Sequence, residues 1–157
     1  MENLGARMWD RMRSIWSVVP LAAVLAITAC GGDGPTGPSV PATPEGAFTL
    51  QTIDAKSLPF TMYADGAYTL EVQSGTLSIT ANGKWVAKAT TRETVAGIVS
   101  VYNDSTFGTW TQVQGSKTAA LVNTESSTTS NATWGATDIT VTEVDGTTTR
   151  RIVYRRN

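Results

Sequence analysis

From residue 46 to the end of the chain no stretch of useful length repeats with a helical period, and a period of two takes its place. Leu77 and Ile79 alternate with Thr76, Ser78 and Thr80, and Trp85, Ala87 and Ala89 with Lys84, Val86 and Lys88. Ile139 and Val141 alternate with Asp138, Thr140 and Thr142, and Ile152 and Tyr154 with Arg151, Val153 and Arg155. Such alternation sends every second side chain to one face and describes strands buried on one side only. Turn dipeptides punctuate it at Asp65-Gly66, Ser74-Gly75, Asn82-Gly83, Gln114-Gly115 and Asp145-Gly146. Asn82-Gly83, set between two alternating runs, is the strongest hairpin signal, because both residues tolerate positive φ.

Threonine supports the same reading. It supplies 25 of the 128 residues from 30 to 157; its β-branched side chain favours strands and its hydroxyl suits a wet sheet face. The expected strands are 46–53, 67–73, 75–81, 84–91, 93–102, 107–113, 116–123, 131–135, 137–144 and 148–156. Ser74-Gly75 reads as a bulge within one bent strand. Eight to ten short antiparallel strands joined by tight turns give an all-β domain, a small up-and-down barrel or a sandwich. About 112 residues are enough for one such domain.

The region before residue 46 is of a different kind. Arg7, Arg11 and Arg13 precede an uncharged run over 14–29, SIWSVVPLAAVLAITA, which is short for a bilayer-spanning helix of about 20 residues. A positive flank, a short apolar core and small residues at its end make an export signal. Ile27-Thr28-Ala29-Cys30 resembles the lipobox of bacterial lipoproteins, with isoleucine where leucine is usual. The resemblance implies cleavage before Cys30, acylation of Cys30 and attachment of the chain to a membrane of the bacterial cell envelope. Gly31 stands where an aspartate would resemble an inner-membrane retention signal, which points to the outer membrane. Several acyl chains on one residue hold firmly where a single chain holds only marginally. With Cys30, the only cysteine, carrying lipid, no thiol is left for a disulfide, a metal or a nucleophile.

Residues 30–45 then read as a tether, with prolines at 35, 38, 41 and 44. That period of three lines one edge of a polyproline II strut. The expected organisation is thus a signal over 1–29, a lipidated cysteine and Pro/Gly-rich linker over 30–45, and a β-barrel over 46–157. The strand faces bearing Lys84 and Lys88 speak against a barrel that itself sits in lipid, where an apolar outer band is needed.

Several chemistries are disfavoured. The chain has no histidine, which removes imidazole acid–base work, Ser-His-Asp triads and the commonest zinc sites. No phosphate-cradling glycine loop precedes a helix, so neither a metal nor an organic cofactor is expected. From residue 30 onward nine basic residues face eleven acidic ones, and no basic patch suited to nucleic acid appears. Arg150-Arg151 and Arg155-Arg156 read as a solvated edge. The carboxylate pairs Asp138 with Glu143 and Glu71 with Glu93 are the nearest approach to a glycosidase arrangement, and the chain is read as non-catalytic. The tract 123–131, NTESSTTSN, is a polar loop at a barrel mouth or a plain connection.

The segments FTLQTIDAKSLPF, SGTLSITANGKW, RETVAGIV, GTW and RRIVYRR together resemble small lipocalin-like bacterial lipoproteins. The resemblance spans nearly all of 47–157 and implies a single lipocalin-like barrel. The Gly-x-Trp signature of classical lipocalins lies on the first strand, whereas Gly108-Thr109-Trp110 falls mid-chain, so that motif is not carried over. A barrel of eight strands holds either packed side chains or one small ligand. If it holds a cup for a small apolar molecule, the expected wall is Leu77, Ile79, Trp85, Ala87 and Trp110. A two-residue hairpin at Asn82-Gly83 would set Ile79 level with Ala87 and Leu77 level with Ala89. Trp110 then either plugs the space or borders it, with Gly108 letting a bulky neighbour approach the backbone. A filled barrel would instead suit an envelope interaction or structural module.

Overall fold

The computed structural model describes residues 39–157; the signal, Cys30 and the first part of the linker lie outside them. Ten strands follow one another: β1 (Gly46–Ile53), β2 (Lys56–Ser57), β3 (Phe60–Asp65), β4 (Tyr68–Thr80), β5 (Lys84–Val95), β6 (Ile98–Gln112), β7 (Thr118–Asn123), β8 (Thr129–Trp134), β9 (Asp138–Asp145) and β10 (Thr148–Arg156). All pairings are antiparallel and, from β3 to β10, each strand pairs with its neighbours in sequence. β1 closes the ring, pairing with β10 on one side (Leu50 with Tyr154) and with the end of β4 on the other (Phe48 with Leu77). The result is an eight-stranded up-and-down barrel, with β2 and β3 as additions at its edge. Closure removes the unpaired sheet edges that an open sheet would leave.

The segments 67–73 and 75–81 are one bent strand, β4, as the bulge signal at Ser74-Gly75 suggested, with a register shift between Val72 and Ser74. Two other local readings of the sequence need correction. The expected strand 93–102 runs across a true turn at Ala96-Gly97, where both residues take positive φ (49° and 83°). That two-residue loop joins Val95 to Ile98, and its conformation matches the right-handed twist of the strands it connects. At Asn82-Gly83 the loop holds three residues, with Thr80 opposite Lys84, so Ile79 faces Trp85 and Leu77 faces Ala87. The Gly83 N–H donates to the Thr80 carbonyl (3.2 Å) and Gly83 sits at φ 75°. This is the type I turn followed by a left-handed residue that suits three-residue hairpins.

The barrel has a closed end and an open end. Gly46, the 81–83 turn, the 113–117 turn, the 135–137 turn and Arg156 gather at the closed end. Phe48, Leu77, Ile79, Ala119, Ala132, Trp134 and Ile139 are buried in the interior. The preceding segment seals the closed end from below. The Pro41 carbonyl accepts hydrogen bonds from Trp134 Nε1 (3.1 Å) and from Lys117 Nζ. The Ala42 carbonyl accepts one from Gln112 Nε2 (3.1 Å), and Pro44 is fully buried. The expected tether therefore ends in contact with the barrel. Arg156 is no solvated edge residue: it lies over the Phe48 ring at 4.7 Å and donates to the Glu45 carbonyl.

At the opposite end β5 and β6 run on beyond the ring. Residues 98–106 of β6 pair with β5 alone, and the β3–β4 hairpin flanks them. Val95, Ile98, Val99, Val101 and Tyr102 are all exposed on this projecting hairpin.

Candidate functional site: a cup at the barrel mouth

The mouth opens into a cavity of about 540 Å³, within the ~300–1,000 Å³ range of small-molecule sites. Its floor is apolar, formed by Leu77, Trp85, Ala87, Leu121 and Val141 with Met62 of β3 at the side. Its rim is polar, formed by Asn123, Glu125, Ser126, Thr128, Ser130, Glu143, Asp145, Thr148 and Arg150. Tyr154 joins the two zones. The gradient follows from strand alternation. In β9 the inward set runs Ile139, Val141, Glu143, Asp145 toward the mouth, and in β10 Tyr154, Ile152, Arg150, Thr148 covers the same depth. Each strand is apolar at the closed end and polar at the open end on one and the same face.

Trp85 is fixed by two features. Its Nε1 donates to the Thr109 carbonyl at 3.0 Å, and its indole lies against Gly108. A Cβ at position 108 would come within 2.9 Å of Trp85 Nε1 and would collide with the Val122 carbonyl. The absent side chain at Gly108 is thus the space into which a bulky neighbour fits, and that neighbour is Trp85.

Of the five residues expected to wall a cup, the structure brings together Leu77, Trp85 and Ala87. Ile79 shares their face but lies deeper, 2% exposed in the core and away from the cavity. Trp110 neither plugs nor borders the cup. It sits half-buried near the closed end, where its Nε1 donates to the Thr80 carbonyl (2.9 Å) and its backbone N–H to the Gly83 carbonyl (2.8 Å). Tyr154, one of the aromatics that could line a cup, does line it, whereas Leu121, Val141, Glu143 and Arg150 were not anticipated as cup residues. Their signal was present in the alternation of β7, β9 and β10. Arg150, read as part of a solvated edge, lines the cavity instead.

The carboxylate pairs do not converge. Asp138 and Glu143 have opposite parity on β9 and face opposite sides of the sheet. Glu71 and Glu93 likewise project from opposite faces. Glu71 accepts from Arg92 Nε at 2.9 Å, and Glu93 from the Tyr102 hydroxyl at 3.1 Å. The tract 123–131 shapes the mouth: Asn123 Oδ1 accepts the N–H groups of Glu125 (2.8 Å) and Ser126 (3.1 Å), folding the turn against the rim.

The electrostatics of the cup centre on β9 and β10. Glu143 and Arg150 stand directly opposite each other in the ladder. Burial pushes the Glu143 carboxyl above its ordinary range; Arg150 opposes the shift and Asp145 reinforces it. Burial, with Glu143 adding to it, also pushes the Tyr154 hydroxyl well up. Among the described residues neither group has a hydrogen-bond partner, so both offer unused polar capacity inside the cavity. No protein-family model, curated protein or solved structure matches this chain.

Proposed function

We propose that this chain is a bacterial envelope lipoprotein, acylated at Cys30 and held at the outer membrane, whose barrel binds a small ligand with an apolar body. The observation that carries the binding role is the cavity of about 540 Å³ with an apolar floor and an open polar mouth. The closed end is packed, so the ligand occupies only the upper half of the barrel, with its apolar part against Leu121, Val141 and Trp85. Binding does not require chemistry from the walls, which carry no histidine and no thiol.

Two measurements test the reading. Trp85 lines the cup and reports on its contents through fluorescence. Titration with small hydrophobic probes is expected to change that emission in the wild type and to leave Leu121→Trp, whose added ring occupies the cup, without saturable binding. Absence of saturable binding in the wild type overturns the binding role. For the address, Cys30→Ala is expected to abolish lipid attachment and membrane retention; a variant processed and retained like the wild type refutes it.

A second reading, an envelope interaction module, is favoured by the exposed apolar side chains of the β5–β6 hairpin. Exposed apolar surface in one place marks contact sites. A wild type that binds none of the probes would leave this reading in possession.

A further inference from the structure

We propose that the cup selects amphiphiles whose polar end is a protonated amine, and discriminates against the carboxylate-headed molecules that an apolar barrel would otherwise suit. The inference rests on the binding role proposed above and adds to it the class of the ligand's head.

Among the residues lining the cavity, three carboxylates (Glu125, Glu143, Asp145) stand with one cation, Arg150. Arg150 stands across the ladder from Glu143, and its single positive charge is set against three carboxylates, which leaves the lining with a net negative charge. An anionic head entering here meets an excess of like charge, of which half-buried Glu143 is the least screened member while Glu125 and Asp145 are exposed.

The hydrogen-bonding inventory points the same way. An ionised carboxylate only accepts, and a tyrosine hydroxyl both donates and accepts. Glu143 and Tyr154 lie on adjacent strands, line one cavity wall and are without partners among the described residues. An alkylammonium carries three donors and no acceptor, so it matches the accepting Glu143 carboxylate, and its charge favours the ionised form that burial disfavours there; Tyr154, opposite Ile139, lies deeper on the same wall. A bare metal ion is a poorer match, because the described residues contain no group of three His, Cys, Asp or Glu side chains close enough to hold one. The apolar floor beneath supplies the site for the body of the same molecule.

The experiment compares three probes with one apolar body: 4-phenylbutylamine, 4-phenylbutanol and 4-phenylbutanoate. Each is titrated calorimetrically into the full chain in phosphatidylcholine vesicles at pH 7 and low salt, with protein-free vesicles as the blank. The amine is expected to bind at least tenfold more tightly than the acid, with the alcohol between them. In the double variant Glu143→Gln, Asp145→Asn the amine is expected to fall to the affinity of the alcohol while the alcohol itself is unchanged. Leu121→Trp is expected to abolish binding of all three, which places the event in the cup. Alcohol binding with no preference for the amine over the acid overturns this inference and leaves the binding role standing. Failure of all three probes overturns both.

Discussion

Replacing Ile139 by alanine should destabilise the barrel far more than replacing Leu121 by alanine, although the two substitutions remove the same number of carbons. Both side chains are almost fully buried, Ile139 at 0% and Leu121 at 3% exposure. Three carbons at about 0.8 kcal/mol each give a transfer loss of roughly 2.5 kcal/mol in either case. The sites differ in what becomes of the vacated space. Ile139 lies among Phe48, Ala132 and Trp134 in the packed core, and its truncation leaves an enclosed void whose walls lose contacts outright. That void adds on the order of 1.5–2 kcal/mol, for a total near 4 kcal/mol. Leu121 borders a cavity that already opens to solvent, so truncation widens existing space and the loss stays near 2 kcal/mol. Urea unfolding followed by far-UV circular dichroism, with a common slope for wild type and variants, measures both losses. A difference of about 2 kcal/mol is expected. Equal losses, or a larger loss at Leu121, would refute the division of the barrel into a packed end and an open cup.

The remaining predictions are simpler. Glu143→Gln should gain stability relative to the wild type as pH rises from 4 to 8. The wild-type carboxyl titrates higher in the fold than its ordinary 4.5, so the unfolded chain binds fewer protons above that pH and wild-type stability declines there. A difference that is constant across the range, measured by thermal unfolding, would refute the burial of that carboxyl. Gly108→Ala should cost about 3 kcal/mol, because its Cβ meets a backbone carbonyl that cannot rotate away; near-wild-type stability would show that the Trp85 contact is loose. Ile98→Lys, at a site 72% exposed, should change unfolding free energy by no more than about 0.5 kcal/mol, and a larger loss would mean that the hairpin tip packs on something.

Alternation identifies the face on which a side chain lies and is silent about depth. Leu77 and Ile79 follow the same rule and share a face, yet one lines the cup and the other lies in the core beneath it. Depth is set by register, and register depends on one residue in the 81–83 loop. A two-residue reading of Asn82-Gly83 moves every partner along the ladder. The turn at Ala96-Gly97 was hidden for a different reason. Thr94, Val95, Ile98, Val99 and Val101 form an almost unbroken run of strand formers, and alanine gives no hint that it will take φ 49°. Glu143 and Tyr154 were visible as members of alternating strands, but their lining one cavity with Trp85 is a product of closure. Only the ring brings β9 and β10 round to face β5, and no local pattern encodes that encounter.

The sealing of the closed end by Pro41, Ala42 and Pro44 has a mechanical consequence. Whatever tension reaches residue 39 from the N-terminal side is delivered first to the contacts with Trp134, Lys117 and Gln112, and then along the axis of β1. That strand is gripped on both sides, by β10 and by β4. A pull parallel to it loads the two ladders in shear, so many hydrogen bonds resist together rather than parting one at a time. The rim turns at 124–128 and 146–147 lie at the opposite end and off this load path. A barrel loaded from its N-terminal side in this way bears the force without its mouth being pulled out of shape.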